Sequence, residues 1–312
     1  MPSMLTIPLS ALELQDAVRH ARRIDPARLD RILRHDADRG LVEVQAGTTW
    51  KALAERLRPG DAEVAGIPTT LASVGESIAA NAAGPDGRPA VAHVESLALV
   101  TPDGELRRAS RTVHPELFGL AVGGHGLFGA AYSVTLRVAS LERAVSESLA
   151  GTPRVLPDAG SPARWVHVLV PPERLEAYLG EARAVCAAWH LAVEALEVRR
   201  TRPEDETFLR WARREFAEVS LRLGDWRAIG GAVRTTQARL ALIDAAIAQG
   251  GSFPIAFTPD ATREQIDACY PQLNRFLAEK RRFDPAGRLV NAWYFRQCTV
   301  LGREPCQVRW GP

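Results

Sequence analysis

The sequence predicts an α+β fold in two parts, and three patterns carry this prediction. Short strand-like runs alternate with helical runs through the first half of the chain. A stretch at 149–162 that is rich in glycine and proline then predicts a linker. Beyond it, strands and helices follow one another in an order typical of an antiparallel sheet with helices on one face.

In the first half, periodicity places each element. Apolar residues recur on one helical face near the start, and Thr48 or Thr49 can cap the helix that follows the first alternating run. Asp103 and Gly104 form a turn of the kind that joins antiparallel strands. The expected strands are 41–46, 94–101 and 132–138, and the expected helices are 10–23, 49–57 and 114–120.

The second half follows the same reasoning with longer helices. Alternating or continuous apolar runs predict strands, and apolar residues three and four positions apart predict helices. The expected strands are 165–170, 191–198 and 252–257, and the expected helices are 172–189, 203–219, 235–249 and 263–281.

The composition is that of an ordinary globular protein. Of the 312 residues 46% are apolar and 24% charged, and the net charge of +2 gives no support to nucleic-acid binding. The basic runs 199–202 and 280–282 are interpreted as solvated helix ends. No segment has the length and apolarity of a membrane span or a signal peptide, so we expect a cytoplasmic protein without a membrane span.

The cysteines and histidines give no metal signal. The four cysteines form no CxxC pair and have no histidine at metal-ligand spacing, so we expect no metal site and reduced thiols. Cys186 lies in an apolar helical run and is interpreted as a small core residue.

Four stretches stand out as candidate binding elements. Residues 68–84 are small almost throughout, which lets a backbone approach a flat ligand or, alternatively, lets a helix start pack tightly on a sheet. Residues 123–129 hold four glycines just before a strand, the reverse of the order in the dinucleotide fingerprint. The other two are the strand–turn–strand 94–109 and the helix end and turn at 281–291.

Taken in this order, these stretches resemble the vanillyl-alcohol-oxidase superfamily of FAD-linked oxidases, whose flavin domain is of the PCMH type. The resemblance is greatest to the branch of decaprenylphosphoryl-ribose oxidase and alditol oxidase. It covers about half of the chain, roughly 41–138 and 250–296. It implies a PCMH-type FAD-binding domain with a truncated first subdomain over 1–148, a small antiparallel cap flanked by helices over 149–258, and a C-terminal helix and tail over 259–312 that returns to the first domain.

The resemblance also implies where FAD would bind. Residues 68–84 would lie along the flavin, and the turn at 123–129 would lie near its adenine and ribityl side. The residues placed against the cofactor are Pro68, Thr69, Ser73, Val74, Gly75, Ile78, Ala79, Ala80, Ala83, Gly84, Gly124, Gly126, Gly129, Ala130 and Ala131.

The chain departs from the family in three places. Relatives carry a glycine-rich diphosphate loop in the interval that residues 22–30 fill here, whereas the first glycine of this chain is Gly40. Ala83 stands where several relatives have a histidine that bonds covalently to flavin, so any FAD is expected to be noncovalent. Pro254 and Phe257 stand where the ribose-oxidase branch presents a tyrosine and a lysine to the reacting face of the flavin.

Two polar residues are the catalytic candidates. Glu76 stands where relatives have glycine and would be a base if it faced the cleft, although an exposed carboxylate is the commoner case. His167 alternates with Trp165 and Leu169 on a strand of the cap, whose corresponding face looks toward the flavin in relatives.

Two functions follow from these observations. The first is an FAD-dependent oxidoreductase that oxidises an alcohol or sugar-type C–H(OH) group of a small molecule by hydride transfer to flavin. The alternative is a member of the family that lacks FAD and uses the vacated cleft for binding, for non-redox chemistry, or as a subunit beside an active partner or a second copy. The absorption spectrum of the protein separates the two.

Overall fold

A computed structural model describes residues 5–57, 73–84, 86–141, 165–224 and 230–306. The chain divides into two compact units. The first comprises Met1–Thr152, Glu206–Leu209 and Gln272–Pro312, and the second comprises Pro153–Asp205 and Arg210–Pro271. The linker expected at 149–162 lies outside the described residues.

The first unit is built on a five-stranded antiparallel sheet in the order β3-β4-β7-β5-β6. A parallel pair of two-residue strands, β1 and β2, stands before it. The strands are β1 Leu5–Thr6, β2 Arg23–Ile24, β3 Ile32–Asp36, β4 Leu41–Gln45, β5 Val94–Val100, β6 Leu106–Ser110 and β7 Ala130–Arg137. The helices of this unit are α1 Ala11–Arg19, α2 Trp50–Leu57, α3 Val74–Ala80, α4 Pro115–Ala121, α8 Leu273–Phe283 and α9 Ala292–Val300.

The core of the first unit joins segments that are distant in sequence. Leu14 and Val18 of α1 pack with Leu29, Val100 and Leu289, all of them buried. Ser10 caps α1 by accepting a hydrogen bond from the amide of Glu13. Burial of this apolar face, rather than helix propensity, is what holds a helix of nine residues.

The second unit is a three-stranded antiparallel sheet in the order β8-β10-β9, with helices against it. Its strands are β8 Trp165–Val170, β9 Val193–Thr201 and β10 Phe216–Leu223, and its helices are α5 Leu175–Ala188, α6 Gly231–Ala248 and α7 Arg263–Cys269. The prediction of an antiparallel sheet flanked by helices is therefore confirmed.

The helix expected over 203–219 is wrong. Leu209, Ala212, Phe216 and Val219 are spaced like one helical face and are all buried, but residues 216–219 begin the central strand β10. Pairing with a strand on each side satisfies the backbone of β10 along its length and overrides the local periodicity.

Two other predicted elements are broken where proline removes a backbone donor. The strand expected at 252–257 is reduced to a single bridge between Ser252 and Leu169, because Pro254 cannot continue the ladder. A short 3-10 turn, Ile255–Phe257, follows instead. Similarly, the helix expected over 263–281 ends at Cys269 and resumes at Leu273, on either side of Pro271.

All four cysteines are buried and none of them forms a disulfide. The burial of Cys186 agrees with its interpretation as a core residue. Among the helices that the structure describes, none combines the length and apolarity needed to cross a membrane.

Candidate functional site

The segment 73–84 contains α3, and its first turn is closed by a capping box. The Ser73 hydroxyl accepts a hydrogen bond from the amide of Glu76, and the Glu76 carboxylate accepts one from the amide of Ser73. Glu76 is exposed, as the commoner case predicts. One oxygen of this carboxylate caps the N-terminus of α3, and a catalytic role for Glu76 stays a prediction.

Four of the candidate cofactor residues on this segment are enclosed by the protein itself. Val74 and Ile78 are buried in the core, and Ala83 is at the limit of burial. Gly75 is required by its own chain, because a Cβ there would lie 2.7 Å from the carbonyl oxygen of Ala46. Ala79, Ala80 and Gly84 are partly exposed, and Pro68 and Thr69 lie outside the described residues.

The glycine turn, residues 123–129, lies directly against this segment. The amide of Gly123 donates to the carbonyl of Ile78 at 2.9 Å, and the amide of His125 donates to the carbonyl of Ala79 at 2.9 Å. The two small-residue stretches therefore contact each other directly. They meet through hydrogen bonds between their backbones, so no flat ring can lie between them at these residues.

The rest of the turn leads into β7. Gly126 is open, with no atom within 4 Å of where its Cβ would be, whereas a Cβ on Gly129 would lie 2.9 Å from the Cβ of Leu99. Ala130 and Ala131, the first residues of β7, are partly exposed. Of the candidate residues on this turn, Gly126 alone has an open surface on the side where a side chain would be.

Two residues of the turn show why it needs glycine. We expect Gly124→Ala to lower the free energy of unfolding by about 2 kcal/mol, since its Cβ would lie 1.9 Å from the carbonyl oxygen of Leu120. Gly126→Ala, which meets only the strain of φ +73°, is expected to cost about 1 kcal/mol. Urea denaturation of both variants measures the difference, and a larger loss at Gly126 would contradict it.

Aromatic side chains cover the turn from the C-terminal helices. The His125 ring stacks on Trp293 of α9 with centroids 4.0 Å apart, and Asn291 donates to the His125 carbonyl at 2.7 Å. Burial lowers the pKa of His125 to about 4, so the ring is neutral at physiological pH. Phe128 makes edge contacts with Phe276 of α8.

A buried ion pair holds the other end of the turn. Lys280 of α8 is fully buried, donates to the carbonyl of Leu127 at 2.7 Å and pairs with Asp284. Burial lowers the pKa of Lys280, and the Asp284 charge opposes this shift. The interpretation of residues 280–282 as a solvated helix end is therefore wrong for Lys280. The interpretation of residues 199–202 as a helix end is also wrong, because Arg199 and Arg200 lie on the strand β9.

The sequence analysis did not predict that Lys280 and Asp284 form a buried pair against the glycine turn, although the sequence contains a signal for it. Leu273, Phe276 and Leu277 are the buried residues of α8, and Lys280 continues their spacing of three and four onto the same face. A lysine on an apolar helical face, four residues before an aspartate, indicates a buried pair.

The segment 22–30 contains no glycine and packs against its own chain. Asp25 caps the 3-10 turn Pro26–Arg28, and the amide of Gly47 donates to the carbonyl of Leu29 at 2.7 Å. A Cβ on Gly47 would lie 2.2 Å from the carbonyl oxygen of Pro26. Arg22 pairs with Asp16 at 3.2 Å.

Three amides in the described part of segment 73–84 are also occupied. Those of Val74 and Gly75 donate to the carbonyls of Thr48 and Ala46, and that of Gly84 donates to the carbonyl of Arg88. An amide cradle for two phosphates needs donors that turn toward the ligand. These three amides are taken by the protein's own carbonyls and do not form such a cradle.

The second unit carries a polar face on its sheet, which includes His167. On β8, β10 and β9 the register places His167 beside Ser220 and Ser220 beside Glu197. The Nδ1 atom of His167 lies 2.8 Å from Oγ of Ser220, which fixes the orientation of the ring. The rings of Trp165 and Phe257 flank it, with centroids at 6.0 and 6.1 Å.

Charges continue this face along the central strand. Glu218 is buried and pairs with Arg199 at 2.5 Å, and Arg222 pairs with Glu194 at 3.1 Å. Charged residues on the central strand of a sheet are costly unless paired, and such clusters are enriched at functional sites. The candidate site of the second unit is thus a polar surface with His167 held at one end.

One comparison with known proteins bears on these sites. Residues 10–110 match the model of the FAD binding domain, which is about a third of the chain. The match spans α1 through β6 and indicates that the chain binds FAD. It ends before the glycine turn and does not reach the second unit.

Proposed function

We propose that this chain is an FAD-dependent oxidoreductase that oxidises an alcohol or sugar-type C–H(OH) group of a small molecule. The match of residues 10–110 to the FAD binding domain carries the proposal. The order of the motifs described above supports placement in the vanillyl-alcohol-oxidase superfamily, near decaprenylphosphoryl-ribose oxidase and alditol oxidase. With Ala83 in place of histidine, FAD would be bound noncovalently.

The polar face of the second unit supports a hydroxylated substrate. Guanidinium groups donate to hydroxyl groups, and Arg199, which is held by the buried Glu218, is partly exposed on this face. His167, oriented by Ser220, can hold a proton beside them. We propose His167 as the catalytic residue of this face and residues 149–258 as the substrate cap.

A second candidate function rests on a different observation. The amides at Val74, Gly75 and Gly123 already donate to the protein's own carbonyls. Each hydrogen bond to a charged phosphate contributes about 1.5–3 kcal/mol, so their loss weakens dinucleotide binding considerably. A family member that lacks FAD and uses the polar face for binding or non-redox chemistry is the alternative.

Absorbance and titration distinguish the two functions. We expect the purified full-length chain to show the two flavin bands, or to acquire them after incubation with FAD and removal of free ligand. Titrations with riboflavin, FMN and FAD, followed by tryptophan fluorescence, compare the affinities for the flavin ring system alone, for the ring system with one phosphate and for the whole dinucleotide. A colourless protein that takes up none of the three at 0.1 mM, a concentration of order ten times a ~10 µM dissociation constant, would exclude the first function.

The role of His167 is tested in the same preparation. His167→Gln keeps a polar side chain beside Ser220 but removes the imidazole. We expect FAD uptake to be unchanged and oxidation of a polyol panel to fall by about 10²–10⁴-fold, the usual contribution of an acid–base group. Equal activity of variant and wild type would remove His167 from the mechanism.

A further inference from the structure

The edge strand β9 has an unusual surface for a strand at the border of a sheet. It is nine residues long, Val193–Thr201, and pairs with β10 on one side only among the described residues. No strand in the described part of the chain lies beside the backbone amides and carbonyls of its other edge. Long open edges of this kind are templates for pairing with another chain.

Apolar side chains stand exposed along this strand. Val193 is 42% exposed, Leu196 48% and Val198 42%. Their neighbours across the sheet on β10, Leu221 and Val219, are buried. The apolar surface of the sheet thus continues onto β9, where nothing among the described residues covers it.

The charges of β9 are arranged with opposite signs at its two ends. Glu194 and Glu197 lie in the first half, and Arg199 and Arg200 lie in the second. Two copies of the strand that run antiparallel bring the acidic half of each beside the basic half of the other. Cross-strand pairs of opposite charge stabilise an antiparallel pair, and like charges destabilise it.

We propose that β9 pairs with β9 of a second copy of this chain, antiparallel about a two-fold axis at Val198. This register places Val198 opposite its own symmetry mate and Glu197 opposite Arg199 of the partner copy. It joins the two three-stranded sheets into one six-stranded sheet, an isologous contact of the type that closes as a dimer.

The neighbouring registers are less favourable. The two-fold axis is perpendicular to the sheet and passes between one residue of β9 and the same residue of the partner copy. Residues that lie opposite each other then have their side chains on the same face of the sheet, and each alternative register moves the axis by one residue. An axis at Glu197 opposes two carboxylates, and an axis at Arg199 opposes two guanidinium groups. An axis at Leu196 places Glu197 opposite Ala195 of the partner copy and adds no pair of opposite charges there.

Charged residues on an edge strand commonly prevent pairing with other chains, and the pattern here differs from that case. Protective charges oppose like charges or point inward in any register. On β9 the register with its axis at Val198 places Glu197 opposite Arg199 of the partner copy, which also pairs with Glu218 of its own chain, and the exposed Val198 lies at the axis. The strand is therefore complementary to itself.

Sedimentation equilibrium and disulfide trapping test this dimer. We expect a species of about twice the 34.0 kDa of one chain at ~50 µM protein. Val198→Lys places two ammonium groups at the axis and is expected to raise the dimer dissociation constant at least about tenfold. Val233→Lys, at a 67% exposed position on α6, is the matched control and leaves the dimer unchanged.

Cysteine substitution fixes the register. All four native cysteines are buried, so Val198→Cys adds an exposed thiol that faces its symmetry mate at cross-strand distance and should form a disulfide dimer under mild oxidation. Leu196→Cys, opposite Arg200 of the partner copy, should not. A monomer at all concentrations, or a dimer in which Leu196→Cys links as readily as Val198→Cys, would overturn the proposal.

Discussion

Replacing Lys280 with methionine is expected to lower the free energy of unfolding by about 3–5 kcal/mol. The substitution keeps the volume of a long side chain but leaves the Asp284 carboxylate buried without its cation, and it removes the donor to the Leu127 carbonyl. Asp284 keeps the hydrogen bonds from the amides of Arg288 and Leu289. Urea denaturation followed by tryptophan fluorescence measures the loss.

Two variants distinguish the buried charge from the loss of packing. Lys280→Met combined with Asp284→Asn removes both charges and keeps one of the two oxygens that accept from the amides of Arg288 and Leu289. It loses one hydrogen bond but leaves no unpaired buried charge, so it should be more stable than Lys280→Met alone. Lys51→Met, at an exposed position on α2, should change stability by less than about 0.5 kcal/mol. A double variant less stable than Lys280→Met would show that the charge is not the cause.

The His125→Asn variant is expected to flatten the acid side of the stability profile. The pKa of folded His125 is lowered to about 4, so as the pH falls below the ordinary histidine value of about 6.5 the unfolded chain takes up a proton that the folded chain does not. His125 therefore contributes stability above this range and loses it as the pH falls toward 4. Removing the imidazole should reduce the loss between pH 7 and pH 4 by up to about 3 kcal/mol.

Wild type and His125→Asn are compared by the slope of the free energy of unfolding against pH. The free energy at one pH is not used, because the variant also loses the stacking contact with Trp293. Asparagine tolerates the left-handed conformation of His125, with φ 54°. His114→Asn is the matched control, since His114 has φ 49°, lies in the same unit and is exposed. Urea titrations at intervals from pH 4 to 7 give both slopes, and a His125→Asn slope as steep as wild type would contradict the assignment.

The sequence predicted the small-residue segments but not what their glycines serve. A glycine in such a segment indicates that there is no room for a side chain at that position. The group that fills the space can be a ligand or the protein's own backbone. At Gly47, Gly75 and Gly124 the group is a carbonyl of the same chain. Only coordinates make this distinction, because the partner carbonyls of Gly47 and Gly75 lie in segments separate in the sequence.

The candidate site of the second unit was predicted in part. His167 was identified from its alternation with Trp165 and Leu169, a local pattern with a period of two. Its partner Ser220 and the charge of Glu218 lie on a strand whose beginning was predicted to be a helix. The residues that complete the face could not be found until the register of β10 between β8 and β9 was known.

The sequence by itself determined the class of the fold, the strands β4, β5 and β7 of the first sheet and the lack of any glycine before Gly40, and its residues 10–110 match the model of an FAD binding domain. These depend on local periodicity and on which residue types are present. The tertiary structure alone decided that Lys280 is buried and that β10 is a strand. Both outcomes depend on burial and pairing between distant segments, whose free energies exceed the local preferences that a sequence displays.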